Sequence, residues 1–173
     1  MRIAPVVLVV ALSCTHAASA AQRDWAAHPA VLVDKATPGT VYAVSDVHCA
    51  RARLTALLAR NGVIDAKAPP SSIAWSAGNA TLVVAGDVVD KGPECVELVD
   101  ALMALQASAA KAGGRVVVTM GNHEAEFIAD PSNKKTSKKN GFATALAAHG
   151  VKPRAVADGL DARGLWLRNL PIG

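Results

Sequence analysis

Aromatic side chains are scarce in this chain of 173 residues: three Trp, two Phe and one Tyr. The scarcity excludes the basic, aromatic-interleaved surfaces on which single-stranded nucleic acids stack, so no nucleic-acid partner is expected. It also leaves the core to Val, Leu and Ala. An excess of one charge is missing too, and a formal net charge of +4 names no partner. Charged residues make up only 18% of the chain against 51% apolar, which excludes a disordered or collagen-like polymer. The length suits one ordinary domain. No apolar run approaches the roughly 20 residues that span a bilayer. The phosphate loop G-x-x-x-x-G-K-[ST], the dinucleotide fingerprint G-x-G-x-x-G and the elbow G-x-S-x-G are absent, and His123-Glu124-Ala125-Glu126-Phe127 fails H-E-x-x-H. NTPase, dehydrogenase, serine-hydrolase and zincin chemistries fall with them.

The first twenty residues read as an export signal. Arg2 supplies a positive start, Ile3 to Leu12 an apolar stretch broken by Pro5, and Ala18-Ser19-Ala20 a small-x-small cleavage site. The expected organisation is a signal peptide over 1–20, a lead-in over 21–39 and a folded domain over 40–173, secreted or periplasmic, with no stable membrane anchor after cleavage. Cleavage leaves two cysteines, Cys49 and Cys95, a pair able to bridge in an oxidising compartment but too few for a disulfide framework.

Three short apolar runs rich in β-branched residues, Val41 to Ser45, Thr81 to Ala85 and Val116 to Met120, predict strands buried on both faces. Between the first two, Leu54, Leu57 and Leu58 predict a helix over about 50–60, ending at Asn61-Gly62. Between the second and third, Val96, Val99, Leu102, Met103 and Leu105 predict a helix from about Glu94, with Pro93 before it and Gly113-Gly114 after it. The fold class is therefore α/β, with a parallel βαβαβ core and right-handed crossovers. Residues 69–79 are expected to form a surface loop around Trp75, and 130–140, with four lysines, a solvated one.

Open α/β sheets place ligands beyond the carboxyl ends of their strands. There the sequence reads Asp46-Val47-His48, then Gly86-Asp87-Val88-Val89-Asp90-Lys91-Gly92, then Gly121-Asn122-His123-Glu124. In an extended segment residues i and i+2 point the same way, so Asp46 and His48 can grip one cation. A carboxylate with an imidazole suits Zn, Fe or Mn. Asp87 can reach the same ion and bridge to a second, to which Asn122 offers a carbonyl oxygen. Gly86 and Gly121 permit close backbone approach. Taken singly, each feature has a plainer reading: Asp87 and Asp90 as caps of the helix near Glu94, Asn122-His123 as an Asx turn, His149 as a helix-end residue.

Together, the three motifs D-x-H, G-D-x-x-D-x-G and G-N-H-E, in that order, resemble the calcineurin-like metallophosphoesterases. Within them they look most like the phosphoprotein-phosphatase branch, and the region before Thr81 is similar to the Shewanella-like protein phosphatases. The resemblance implies the N-terminal part of an α/β/β/α sandwich. It implies two divalent or di/trivalent metal ions (Mn, Fe, Zn or Ni), with Asp46, His48 and Asp87 holding the first, and Asp87 and Asn122 the second. By it His123 is a general acid oriented by Asp90, and Lys91 faces the substrate phosphate.

The family's later histidine motifs have no counterpart before Gly173, so the resemblance implies a C-terminally truncated domain. Cys49 stands where the pattern has Gly, and Lys91 where Arg is commoner. Oxidation at Cys49 is then able to influence the neighbouring metal site. The expected activity is metal-dependent phosphate monoester hydrolysis, with a phosphorylated protein as substrate. The alternatives are a small phosphoester such as a dinucleoside polyphosphate, or an inactive remnant that binds metal or phosphate.

Overall fold

A computed structural model describes residues 19–33, 39–65, 67 and 73–173. The expected export signal lies outside the described residues but for its last two positions. Three parallel strands, β1 (Val41–Ser45), β2 (Thr81–Ala85) and β3 (Arg115–Thr119), pair in the order β1-β2-β3, with Val41 opposite Thr81 and Thr81 opposite Arg115. The predicted crossover helices are α1 (Arg51–Arg60) and α2 (Cys95–Lys111). α1 stops where Gly62 takes a φ of 68°, a conformation open to glycine at no steric cost. This is the α/β βαβαβ core that the hydrophobic pattern implies.

Only β2, the central strand, approaches burial on both faces. β1 alternates exposed and half-buried residues and β3 half-buried and buried ones, because each is an edge strand. Trp75, expected in a surface loop, is instead buried: it bridges to Ile64, its indole N–H donates to the Gly78 carbonyl at 2.8 Å, and its ring lies against Gly114. A large ring with one polar atom belongs inside once that atom has an acceptor.

Beyond β3 come four short helices, α3 (Asn122–Ala129), α4 (Phe142–Ala148), α5 (Pro153–Ala157) and α6 (Ala162–Arg168). Pro153 opens α5, the Asp161 carboxylate caps α6 by accepting from Gly164 N–H at 2.7 Å, and His149 caps the end of α4. Phe127 of α3 and Phe142 of α4 meet edge to face, fully buried, with ring centres 4.8 Å apart. The 130–140 segment is mostly exposed, as expected, but Thr136 is buried within it.

The lead-in folds back on residues 168–173. The Arg23 guanidinium donates to the carbonyls of His28, Pro29, Arg168 and Leu170, and the backbone N–H groups of Leu32 and Ile172 donate to Gly173 and Ala30. Leu102, fully buried on α2, sits at the heart of the core. Leu102→Ala is expected to lower unfolding stability by about 2–5 kcal/mol, read from the urea midpoint at unchanged m-value.

Candidate metal centre

All three motifs lie just past the carboxyl ends of the strands, and their backbone is unusual. Asp46, His48, Cys49, Asp87, Asp90 and Lys91 all have positive φ, between 44° and 66°. Each such non-glycine residue costs on the order of 1–3 kcal/mol and persists only where its surroundings fix it. The β1 and β2 loops fix one another: His48 N–H donates to the Asp87 carbonyl at 2.9 Å and Cys49 N–H to Val88 at 2.7 Å. Gly92 lies so close that a Cβ there would meet the His48 carbonyl oxygen. Gly86 (φ 69°) packs against Gly121, so the β2 and β3 loops touch at both predicted glycines.

The third fixing element is Glu124, to which sequence reasoning gave no role. Its carboxylate is fully buried and accepts four backbone N–H bonds, from Asp87 (3.0 Å) and Gly121 (2.8 Å) on Oε2 and from Val88 (2.8 Å) and Val89 (2.9 Å) on Oε1. A carboxylate is affordable inside a protein only when its lone pairs are met in this way. The signal lay in the position: an acidic third residue of a helix reaches back to the N-terminal amides.

Within this frame the His48 imidazole sits at the centre. Its Nδ1 is 3.1 Å from the Val89 carbonyl, which only accepts, so Nδ1 carries the proton and Nε2 the lone pair. Nε2 faces Asp87 Oδ2 (3.8 Å), Asp46 Oδ1 (3.9 Å) and Lys91 Nζ (2.9 Å). His48, Asp87 and His123 each offer a donor atom within 4.8 Å of the others, a group able to hold a metal ion. The donor set, two imidazoles and a carboxylate with one imidazole locked in the metal-ready tautomer, fits a transition-metal ion. Asp46 stands at the rim, its side chain two-thirds exposed.

His123 pairs with Asp90, as the resemblance implies. The two are buried, with Nδ1 2.7 Å from Asp90 Oδ2, while the other Asp90 oxygen accepts from Phe142 N–H at 2.7 Å. The carboxylate therefore fixes the ring and leaves Nε2 to act. Neither Asp87 nor Asp90 caps α2, whose N-cap is Glu94. Asn122 is the first residue of α3, on the exposed rim; its amide nitrogen lies 3.4 Å from Glu126. Glu126 is held below the usual carboxyl pKa, chiefly by its hydrogen bond from Lys135, against the opposing effect of desolvation. The structure thus gathers Asp46, His48, Asp87, Asp90, Lys91 and His123 at one edge, with Asn122 directly before His123 at the start of α3.

Replacing the Glu124 carboxylate with an amide turns an acceptor into a donor against backbone donors. Glu124→Gln is expected to lower stability by about 2–4 kcal/mol, measured by chemical denaturation, whereas a surface carboxylate such as Asp65 changed to Asn moves the midpoint little.

The chain resembles several known proteins. It is 44% identical over 87 residues to an uncharacterized protein of Schizosaccharomyces pombe, covering half of this chain and 25% of that protein. It is 32% identical over 87 residues to Shewanella-like protein phosphatase 2 of Arabidopsis thaliana, covering half of this chain and 21% of that one. Among solved structures, a cold-active protein tyrosine phosphatase of a psychrophilic Shewanella superposes with a TM-score of 0.60 at 26% identity, over 76% of this chain and 38% of that chain. A mutant of a cold-active protein tyrosine phosphatase gives 0.62 at 28% identity, with the same coverage. The chain thus spans a quarter or less of these curated relatives and well under half of the solved phosphatases. The family profile described as calcineurin-like phosphoesterase matches residues 39–169, three-quarters of the sequence, and the chain belongs to that family.

Proposed function

We propose that this chain carries the metal-holding half of a phosphate monoester hydrolase, with a phosphorylated protein as its substrate. The observation that carries the reading is the gathering of His48, Asp87 and His123 donor atoms within 4.8 Å at the sheet edge, backed by a buried His123–Asp90 pair. Asp46, His48 and Asp87 would hold the first ion, with His123 beside them; Asp87 and Asn122 would face a second. Bound there, Mn, Fe, Zn or Ni supplies Lewis acidity toward the phosphate oxygens and acidifies water near neutral pH.

The chain's own residues do the rest. Asp90 holds the His123 ring by Nδ1, so that Nε2 is positioned to give a proton to a leaving oxygen. Lys91 adds positive charge beside His48, where a phosphate oxygen would sit, though as a point charge without the planar fork of arginine. The strained loops keep these groups in place before substrate arrives, so little reorganisation is left for the reacting complex. A phosphatase name on the Arabidopsis relative supports phosphoprotein over a dinucleotide. A secreted or periplasmic location fits the same reading, since a disulfide joins Cys49 to Cys95 and such bonds persist in oxidising compartments.

With Mn ions the chain is expected to release p-nitrophenol from its phosphate ester, and EDTA to abolish the release; no turnover with Mn, Fe, Zn or Ni would leave only a binding remnant. Phosphoserine peptides are expected to outcompete dinucleoside polyphosphates by kcat/KM. His123→Asn separates the two roles open to that residue. A proton donor is expected to lose about 10²–10⁴-fold on a phosphoserine peptide and far less on p-nitrophenyl phosphate, whose phenolate leaves unaided, whereas a pure ligand loses both equally.

A further inference from the structure

The disulfide is placed where it bears on the metal centre. Cys49 directly follows His48, and Cys95 is the first residue of α2, a helix of 17 residues packed along one face into the core. Both cysteines are fully buried. The cross-link therefore fastens the β1 loop to a rigid body just beyond the Asp87 to Gly92 loop. The remaining ties between the loops are hydrogen bonds: His48 N–H to Asp87, Cys49 N–H to Val88, the His48 ring Nδ1 to the Val89 carbonyl at 3.1 Å and its Nε2 to Lys91, Glu94 N–H to the Cys49 carbonyl at 3.2 Å, and Ala52 N–H to the Glu94 carboxylate at 3.0 Å. Among the described residues the disulfide is the one covalent tie.

Cys49 also sits at φ 58°, a conformation that suits glycine and strains a side chain. Freed from Cys95, residue 49 gains by relaxing out of that region, and the peptide it shares with His48 turns with it. The His48 ring is then left to its hydrogen bonds alone, and the place of Nε2 opposite Asp87 loosens.

We propose that the Cys49–Cys95 disulfide is a positioning clasp for the metal ligand His48, so that its oxidation state sets the affinity of the centre for a divalent cation. The inference rests on the metal-centre reading above. Opening the clasp takes two equivalents of an external thiol. The first attacks one sulfur, breaking the Cys49–Cys95 bond and leaving a mixed disulfide; the second displaces the protein sulfur. The external disulfide departs, and both protein sulfurs end as thiols with the two protons. Because the bond is buried, exchange requires local opening of the loops, so the clasp changes state slowly and holds once closed.

The test is calorimetric titration of Mn ions into the full chain, as isolated in oxidised form, after reduction by a phosphine that is then removed under argon, and after reoxidation. Reduction is expected to weaken Mn binding about 10–100-fold, the range for losing a group that orients a ligand, and reoxidation to restore it, with the far-ultraviolet circular dichroism unchanged. The Cys49→Ala/Cys95→Ala double variant, which lacks the bond but keeps a side chain at the positive φ, keeps the measurement meaningful should the reduced chain unfold; it is expected to show the same weakening while remaining helical. A merely structural bond would lower the thermal midpoint and leave the Mn dissociation constant of the folded protein unchanged, and that result overturns the proposal alone. Absence of Mn binding in every form overturns the metal-centre reading and the proposal together.

Discussion

One buried carboxylate holds the working edge of this protein together. Glu124, at the start of α3, accepts N–H bonds from Asp87, Val88 and Val89 behind β2 and from Gly121 behind β3. A negative charge with no access to water is among the least tolerable things a core can contain, and four donors are what make it tolerable. The dependence runs both ways. The β2 loop bends through positive φ at Asp87, Asp90 and Lys91, and the amides that meet Glu124 are what keep it bent. The position of the Asp87 carboxylate follows from that curvature, and that of Asp90 follows from the turn that continues it.

The parts of the fold that repeat a strong period could be read from the sequence. Val-rich runs of five residues gave β1, β2 and, displaced by one residue, β3; the leucines of α1 and the long apolar stripe of α2 gave the crossovers. The four later helices were not assigned, because helices of five to eight residues show barely two turns of period. Of their caps only His149 was read in the sequence, as a helix-end residue. Trp75 was misplaced because flanking Ser, Gly and Asn dominate the local pattern, while its burial depends on Gly114, far along the chain.

The site divides along the same line. Residue type and strand-end position were enough to single out Asp46, His48, Asp87 and Asn122, since parallel strands bring their carboxyl ends to one edge; His123, Asp90 and Lys91 came with the family resemblance. Orientation was not legible. Which His48 nitrogen faces the carboxylates depends on the Val89 carbonyl, and the Asn122 amide lies by Glu126. Both are contacts across loops, on which periodicity is silent. The left-handed backbone at six motif residues was equally hidden, since only glycine announces positive φ in a sequence, and here aspartates, a histidine, a lysine and a cysteine adopt it.

Arg23 has a temporal consequence. Two of its four carbonyl partners lie 145 and 147 positions further along the chain. Contacts of such high contact order form late, after the loop-closure entropy of a 145-residue separation has been met. During synthesis, which proceeds from the amino end, Arg23 has only its local acceptors at His28 and Pro29 until residues 168–170 have emerged. The lead-in is thus among the last parts to settle, while the parallel sheet, whose paired residues Val41, Thr81 and Arg115 lie far closer in sequence, can assemble beneath it.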